Sequence, residues 1–159
     1  MITERESNFL VRAIELSRHG MQNGHGGPFG CIVVRGDEIV GEGYNMVISS
    51  NDPTAHAEIV AIRNACIHMN NYQLAGCELY TSCEPCPMCL GAIYWARPMK
   101  VIYANTRQDA AAIAFDDDFI YQEFNAAMNQ RTIPFVHQPH SLAREVFKQW
   151  VEFENKKLY

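Results

Sequence analysis

Apolar residues recur at helical intervals from about Glu4 to Met21. Phe9, Leu10, Ala13, Ile14, Leu16 and Met21 fall largely on one stripe. This predicts an opening amphipathic helix, ended by the Gly24 to Gly27 run and Pro28. The period then changes. Phe29 to Val34 is apolar and rich in β-branched residues, Arg35-Gly36-Asp37-Glu38 is turn chemistry, and Ile39 to Asn45 returns as the second arm of a hairpin. Asn51-Asp52-Pro53-Thr54 suits a turn and cap before a helix from about Ala55 to His68, with His56 in its first turn. Leu79 to Ser82 reads as a short strand. Pro85 opens a helix from Cys86 to about Trp95, because a first-turn proline sacrifices no hydrogen bond. Val101 to Ala104 is a further strand. Beyond Asp109 the pattern is helical with interruptions, and Ser141 to about Glu154 closes the chain. The order α-β-β-α-β-α-β-α-α predicts an α/β fold, a mixed sheet between helical layers.

Composition narrows the class. The 159 residues suit one domain, and 48% hydrophobic with 19% charged residues is ordinary for a globular chain. No apolar run reaches the roughly 18 residues of a membrane span, and Met1 to Glu6 lacks the basic-then-apolar order of a signal peptide. A cytoplasmic, membrane-free protein is expected. In that reducing setting the six cysteines point to metal or catalysis before disulfides. A net charge of −5 without a Lys/Arg block disfavours a nucleic-acid partner.

Candidate chemistry concentrates between Thr54 and Leu90. His56-Ala57-Glu58 is followed by Pro85-Cys86-Pro87-Met88-Cys89. His56, Cys86 and Cys89 offer one imidazole and two thiolates, three zinc ligands with a fourth tetrahedral position open, the signature of a catalytic zinc. Both halves stand at predicted helix N-termini, where free N–H groups and the helix dipole favour thiolates. Glu58 is placed to handle the proton of a water held in the open position. Three rivals use the same residues. A redox Cys-x-x-Cys pair leaves the His-x-Glu unexplained. An iron–sulfur run through Cys83, Cys86 and Cys89 lacks its Cys-Pro, since position 93 is Ile. A closed structural zinc with Cys83 as fourth ligand has no use for Glu58.

This pattern resembles the zinc-dependent nucleobase and nucleoside deaminases, marked by His-x-Glu and Pro-Cys-x-x-Cys. Within them, Asn51 to Glu58, Tyr80 to Cys89, Gly91 to Arg97 and Phe115 to Tyr121 look like the small bacterial guanine deaminases, and the likeness runs from Gly27-Pro28-Phe29-Gly30 to Asn155-Lys156-Lys157-Leu158-Tyr159. The resemblance implies a three-layer α/β/α cytidine-deaminase-like fold with a central five-stranded mixed sheet. It implies one zinc deaminase domain over 1–159, with one Zn2+ per subunit. It also implies hydrolysis of guanine to xanthine and ammonia, with activated water attacking C2 and Glu58 shuttling protons.

Substrate residues are carried by the resemblance against plainer readings. Phe29 after Gly26-Gly27-Pro28 reads by itself as a core residue opening a strand; the family stacks it on the purine. Asn45 at a strand end is an ordinary turn former; the family sets its amide on the substrate edge, beside the Ala57 N–H. Asp116-Asp117-Asp118 is by default a solvated turn or cap; the family assigns Asp117 to the amino and ring N–H side of guanine. The family closes the pocket with the 141–159 tail, exchanged within a homodimer, so that Tyr159 reaches the substrate. Alternatives are a tRNA adenosine deaminase, a cytosine or triazine deaminase, and a zinc-stabilised binding module.

Overall fold

A computed structural model describes every residue except Asp116 and Tyr159. The chain forms two compact units, Met1–Asp117 and Asp118–Tyr159. The first unit begins with α1, Glu4–Gln22, started by a capping box in which Thr3 and Glu6 satisfy each other's backbone N–H groups. Strands β1, Gly30–Arg35, and β2, Glu38–Tyr44, form the expected hairpin. A short helix α2, Val47–Ser50, precedes α3, Ala57–Met69. Then come β3, Cys77–Cys83, α4, Pro87–Ala96, β4, Lys100–Asn105, and the short α5, Arg107–Ala111.

The sheet order is β2-β1-β3-β4. β1 is antiparallel to both neighbours, and β3 runs parallel to β4. Among the described residues there are four strands where five were expected. After β4 the chain leaves the sheet at once, because Thr106 caps α5 through a box with Asp109. Later, residues 134–140 are irregular, and Pro134 and Pro139 have no N–H to give a ladder.

β1 is buried on both faces, which explains its unbroken apolar run. Cys31 and Val33 join Val40, Ala57, Ala61, Ala65, Leu79 and Ile93 under α3 and α4. Ile32 and Val34 join Ala13, Leu16, Tyr80 and Ile102 under α1. The unit is therefore layered α/β/α. α3 lies unusually close to β2. A methyl group on Gly41 or Gly43 would stand 2.5 Å from the carbonyl oxygens of Ala61 or Ala57 respectively.

The second unit holds α6, Asp118–Asn125, a 3₁₀ turn, Met128–Gln130, and α7, Ser141–Glu152. Glu123 ties the unit internally by accepting from the Thr132 amide and hydroxyl. Leu142, Val146, Phe147, Trp150 and Val151 form an exposed apolar stripe on α7. Among the described residues no helix is long and apolar enough to cross a membrane.

Candidate active site

Topology gathers the predicted residues at one end of the sheet. β2, β3 and β4 all finish there, and β1, running the other way, begins there. The segments that follow β2 and β3 lead into α3 and α4, so the helix N-termini that carry His56 and Cys86 meet. The helices begin slightly later than the sequence pattern suggests. His56 is the N-cap of α3, not a first-turn residue, because Asp52 first closes a turn by accepting from the Thr54 amide and hydroxyl. Cys86 is the N-cap of α4, and the first-turn proline is Pro87, not Pro85.

His56, Cys86 and Cys89 form a metal-binding cluster, with donor atoms all within 4.8 Å of one another. The His56 Nδ1 stands 3.5 Å from the Cys86 sulfur and 3.6 Å from the Cys89 sulfur. Tetrahedral zinc, with bonds of about 2.3 Å to sulfur and about 2.0 Å to nitrogen, sets an N···S edge of about 3.5 Å. The donor spacing fits the ion. Charge makes the same point. The Cys86 thiol is held far down, at about 4, first by its contact with Cys89 and also by His56. The same contact, with burial and the nearby Glu58, pushes Cys89 up. A second thiolate beside the first needs a cation next to it.

Glu58 is buried in the first turn of α3, and its Oε2 lies 3.5 Å from the Cys89 sulfur. Burial, above all, raises its pKa, which suits a group that must both take and return a proton. Cys83 is not in the cluster. Its thiol points to the Thr106 carbonyl oxygen, 3.5 Å away, and burial pushes its pKa up to about 11. Among the described residues the cluster has three protein donors, as an open catalytic site requires and a closed structural site does not.

The substrate candidates lie around this end. Asn45 is buried just past β2; its backbone N–H donates to the Phe29 carbonyl oxygen, and its side-chain Oδ1 accepts from the Val47 backbone N–H. Ala57 is the first residue of α3, a position whose N–H has no intrahelical acceptor. Phe29 packs edge-on against Phe115, with ring centroids 5.0 Å apart and planes at 88°. The His56 pKa is raised, first by its contact with Cys86, and Asp117 is near enough for its charge to add to that shift. Tyr159 lies outside the described residues. The sequence pattern leaves the Phe115 pairing and the seat beneath it unassigned. A methyl on Gly26 would sit 2.0 Å from the Asn45 Oδ1, and one on Gly27 would meet both aromatic rings. The visible signal is a glycine pair before one aromatic and a second aromatic before the acidic run.

Fold and site together define a zinc-dependent hydrolytic deaminase. Residues 3–105 match the model of the cytidine and deoxycytidylate deaminase zinc-binding region, and the chain belongs to that family. It is 54% identical to the guanine deaminase of Bacillus subtilis over 151 residues, which cover 95% of this chain and 97% of that protein. The X-ray structure of a Bacillus subtilis guanine deaminase superposes with a TM-score of 0.95 at 51% identity over 99% of both chains. A tRNA-specific adenosine deaminase of Buchnera aphidicola is 38% identical over 109 residues, 69% of this chain and 72% of that protein.

Proposed function

We propose that the protein hydrolyses guanine to xanthine and ammonia. The observation that carries this reading is the reach of the likeness. Similarity to the guanine deaminase extends over 95% of the chain, whereas similarity to the tRNA deaminase covers 69%. The extra length includes residues that the zinc-binding region at 3–105 leaves out, among them Asp117 and the second unit.

His56, Cys86 and Cys89 would hold a zinc ion, which would supply a water acidic enough to act as hydroxide near neutral pH. The remaining work falls to the chain. Glu58 takes a proton from that water as its oxygen adds to C2 of the purine. Glu58 returns that proton to a ring nitrogen, then takes the remaining proton from the oxygen now on C2 and gives it to the exocyclic amine as the C2–N bond breaks. The water oxygen stays as the new carbonyl, and ammonia leaves. Phe29 stacks on the ring, while the Asn45 amide and the Ala57 N–H hold one edge. Asp117 accepts from the amino and ring N–H groups at the other edge, where adjacent donors suit a carboxylate.

The chain acts as one deaminase domain whose 141–159 tail is exchanged in a cytoplasmic homodimer, which brings Tyr159 to the substrate. The exposed apolar stripe on α7 supports a protein partner for that segment. Ammonia release from guanine, adenine, cytosine, cytidine and tRNA by zinc-loaded protein tests the substrate. Turnover of guanine is expected, and turnover of tRNA without guanine refutes the reading. Light scattering on a sizing column is expected to give twice the chain mass; a monomer at all concentrations overturns the exchange.

A further inference from the structure

We propose that Phe115 is a positioning residue that fixes the Phe29 ring for the purine and anchors the segment bearing Asp117. This rests on the guanine reading above. The local fold is built to deliver that ring. α5 ends in a two-bond reversal: the Ala114 amide donates to the Ala111 carbonyl oxygen and the Phe115 amide to that of Ala110, both at 3.0 Å. Ala114 takes the left-handed conformation this reversal demands, with φ of 68°, although it is not glycine. The chain thus accepts backbone strain immediately before Phe115. The ring then meets Phe29 edge to face, a geometry that aromatic quadrupoles favour and that restrains ring rotation.

The other side of the contact is equally particular. A methyl group on Gly27 would lie 2.7 Å from the Phe115 Cζ and 2.9 Å from the Phe29 Cε2. Both rings close over a backbone that admits no side chain. The Phe29 amide, in turn, donates to the Gly27 carbonyl oxygen at 2.8 Å, so the glycine sets the Phe29 backbone as well. Yet Phe115 remains 44% exposed, so core burial alone does not account for its placement. It stands two residues from Asp117. Residues 106–117 fall outside the shared zinc-binding region, as expected of a segment that adapts a common centre to one substrate.

The test compares Phe115→Ala, Phe115→Leu, Phe115→Tyr and Gly27→Ala for kcat and KM on guanine, zinc content and melting temperature. An edge-to-face pair of this kind sets the scale, so Phe115→Ala is expected to raise KM about 2- to 10-fold with kcat and zinc retained. Phe115→Tyr restores KM and Phe115→Leu does not, because leucine fills space without an aromatic edge. Gly27→Ala raises KM as well, since its methyl strikes both rings, and the contrast of Phe115→Leu with Phe115→Tyr decides the matter should the alanine variant at 115 unfold. Wild-type KM in Phe115→Ala, or equal rescue by Leu and Tyr, overturns the positioning role. Failure of the wild type itself to release ammonia from guanine overturns the underlying substrate reading as well.

Discussion

Glu58 occupies a site where three requirements meet: burial, a neighbouring sulfur and a helix N-terminus. Glu58→Gln keeps shape and hydrogen bonding but cannot carry a proton. Ammonia release from guanine should fall by at least about 10²-fold, the usual contribution of a positioned acid–base group, while bound zinc stays stoichiometric by elemental analysis. Retained turnover would remove Glu58 from the chemistry. Ala114 gives a prediction of the opposite sign. Glycine relieves the left-handed strain, partly offset by its greater freedom when unfolded, so Ala114→Gly should stabilise by about 0.5–1 kcal/mol in urea titration. At this scale the metal ligands were legible in the sequence because ligand chemistry fixes residue type and spacing. The Phe29–Phe115 contact was not, because it joins positions 86 residues apart whose approach depends on Gly27 having no side chain.

Among elements, α1 is fastened to the sheet by charge. Lys100 on β4 donates to Glu6, and Arg5 reaches Asp37, Glu78, the Tyr80 hydroxyl and the Gly36 carbonyl oxygen. Glu6 is held at about 2, first by Lys100 and then by the Thr3 amide, against about 4.3 for a free glutamate. A lowered carboxyl pKa stabilises the fold above the unfolded value and loses that effect as pH falls toward 2. Lys100→Met should therefore destabilise clearly at about pH 6, and the gap in urea midpoint from wild type should narrow toward about pH 2.5. A gap that does not change with pH removes the ion pair as its cause. Helix–sheet contact is set by absence of side chains on β2. Gly43→Ala pushes a methyl to 2.5 Å from the Ala57 carbonyl oxygen and 2.6 Å from the Ala61 amide nitrogen, backbone atoms of the helix that carries Glu58. Overpacking of this sort costs about 1–3 kcal/mol, and zinc affinity by chelator competition should weaken with it. Element types were readable from periodicity, since β1 buries both faces and α1 only one. Helix starts were not, because Asp52 and Pro87 shift each cap by a residue or two. Among the described residues the fifth strand is absent; β4 ends at Asn105, where the Thr106 capping box starts α5.

Across the molecule, the site exists only where separate chain segments converge. β2 and β3 deliver α3 and α4 to the same end of the sheet, and the donors they present belong to different helices. A metal that joins them stabilises the folded chain, since the unfolded chain cannot hold His56 beside Cys86 and Cys89 in this geometry. At a thousand-fold saturation, binding adds about 4 kcal/mol, and each kcal/mol moves the melting point of a chain this size by about 2–4 °C. Chelation should therefore lower the melting temperature by on the order of 10 °C, abolish ammonia release, and be reversed by added zinc. The thermal shift separates this account from a loosely held activating ion. If chelator removed activity but left the melting curve in place, His56, Cys86 and Cys89 would not be the ligands that join α3 to α4.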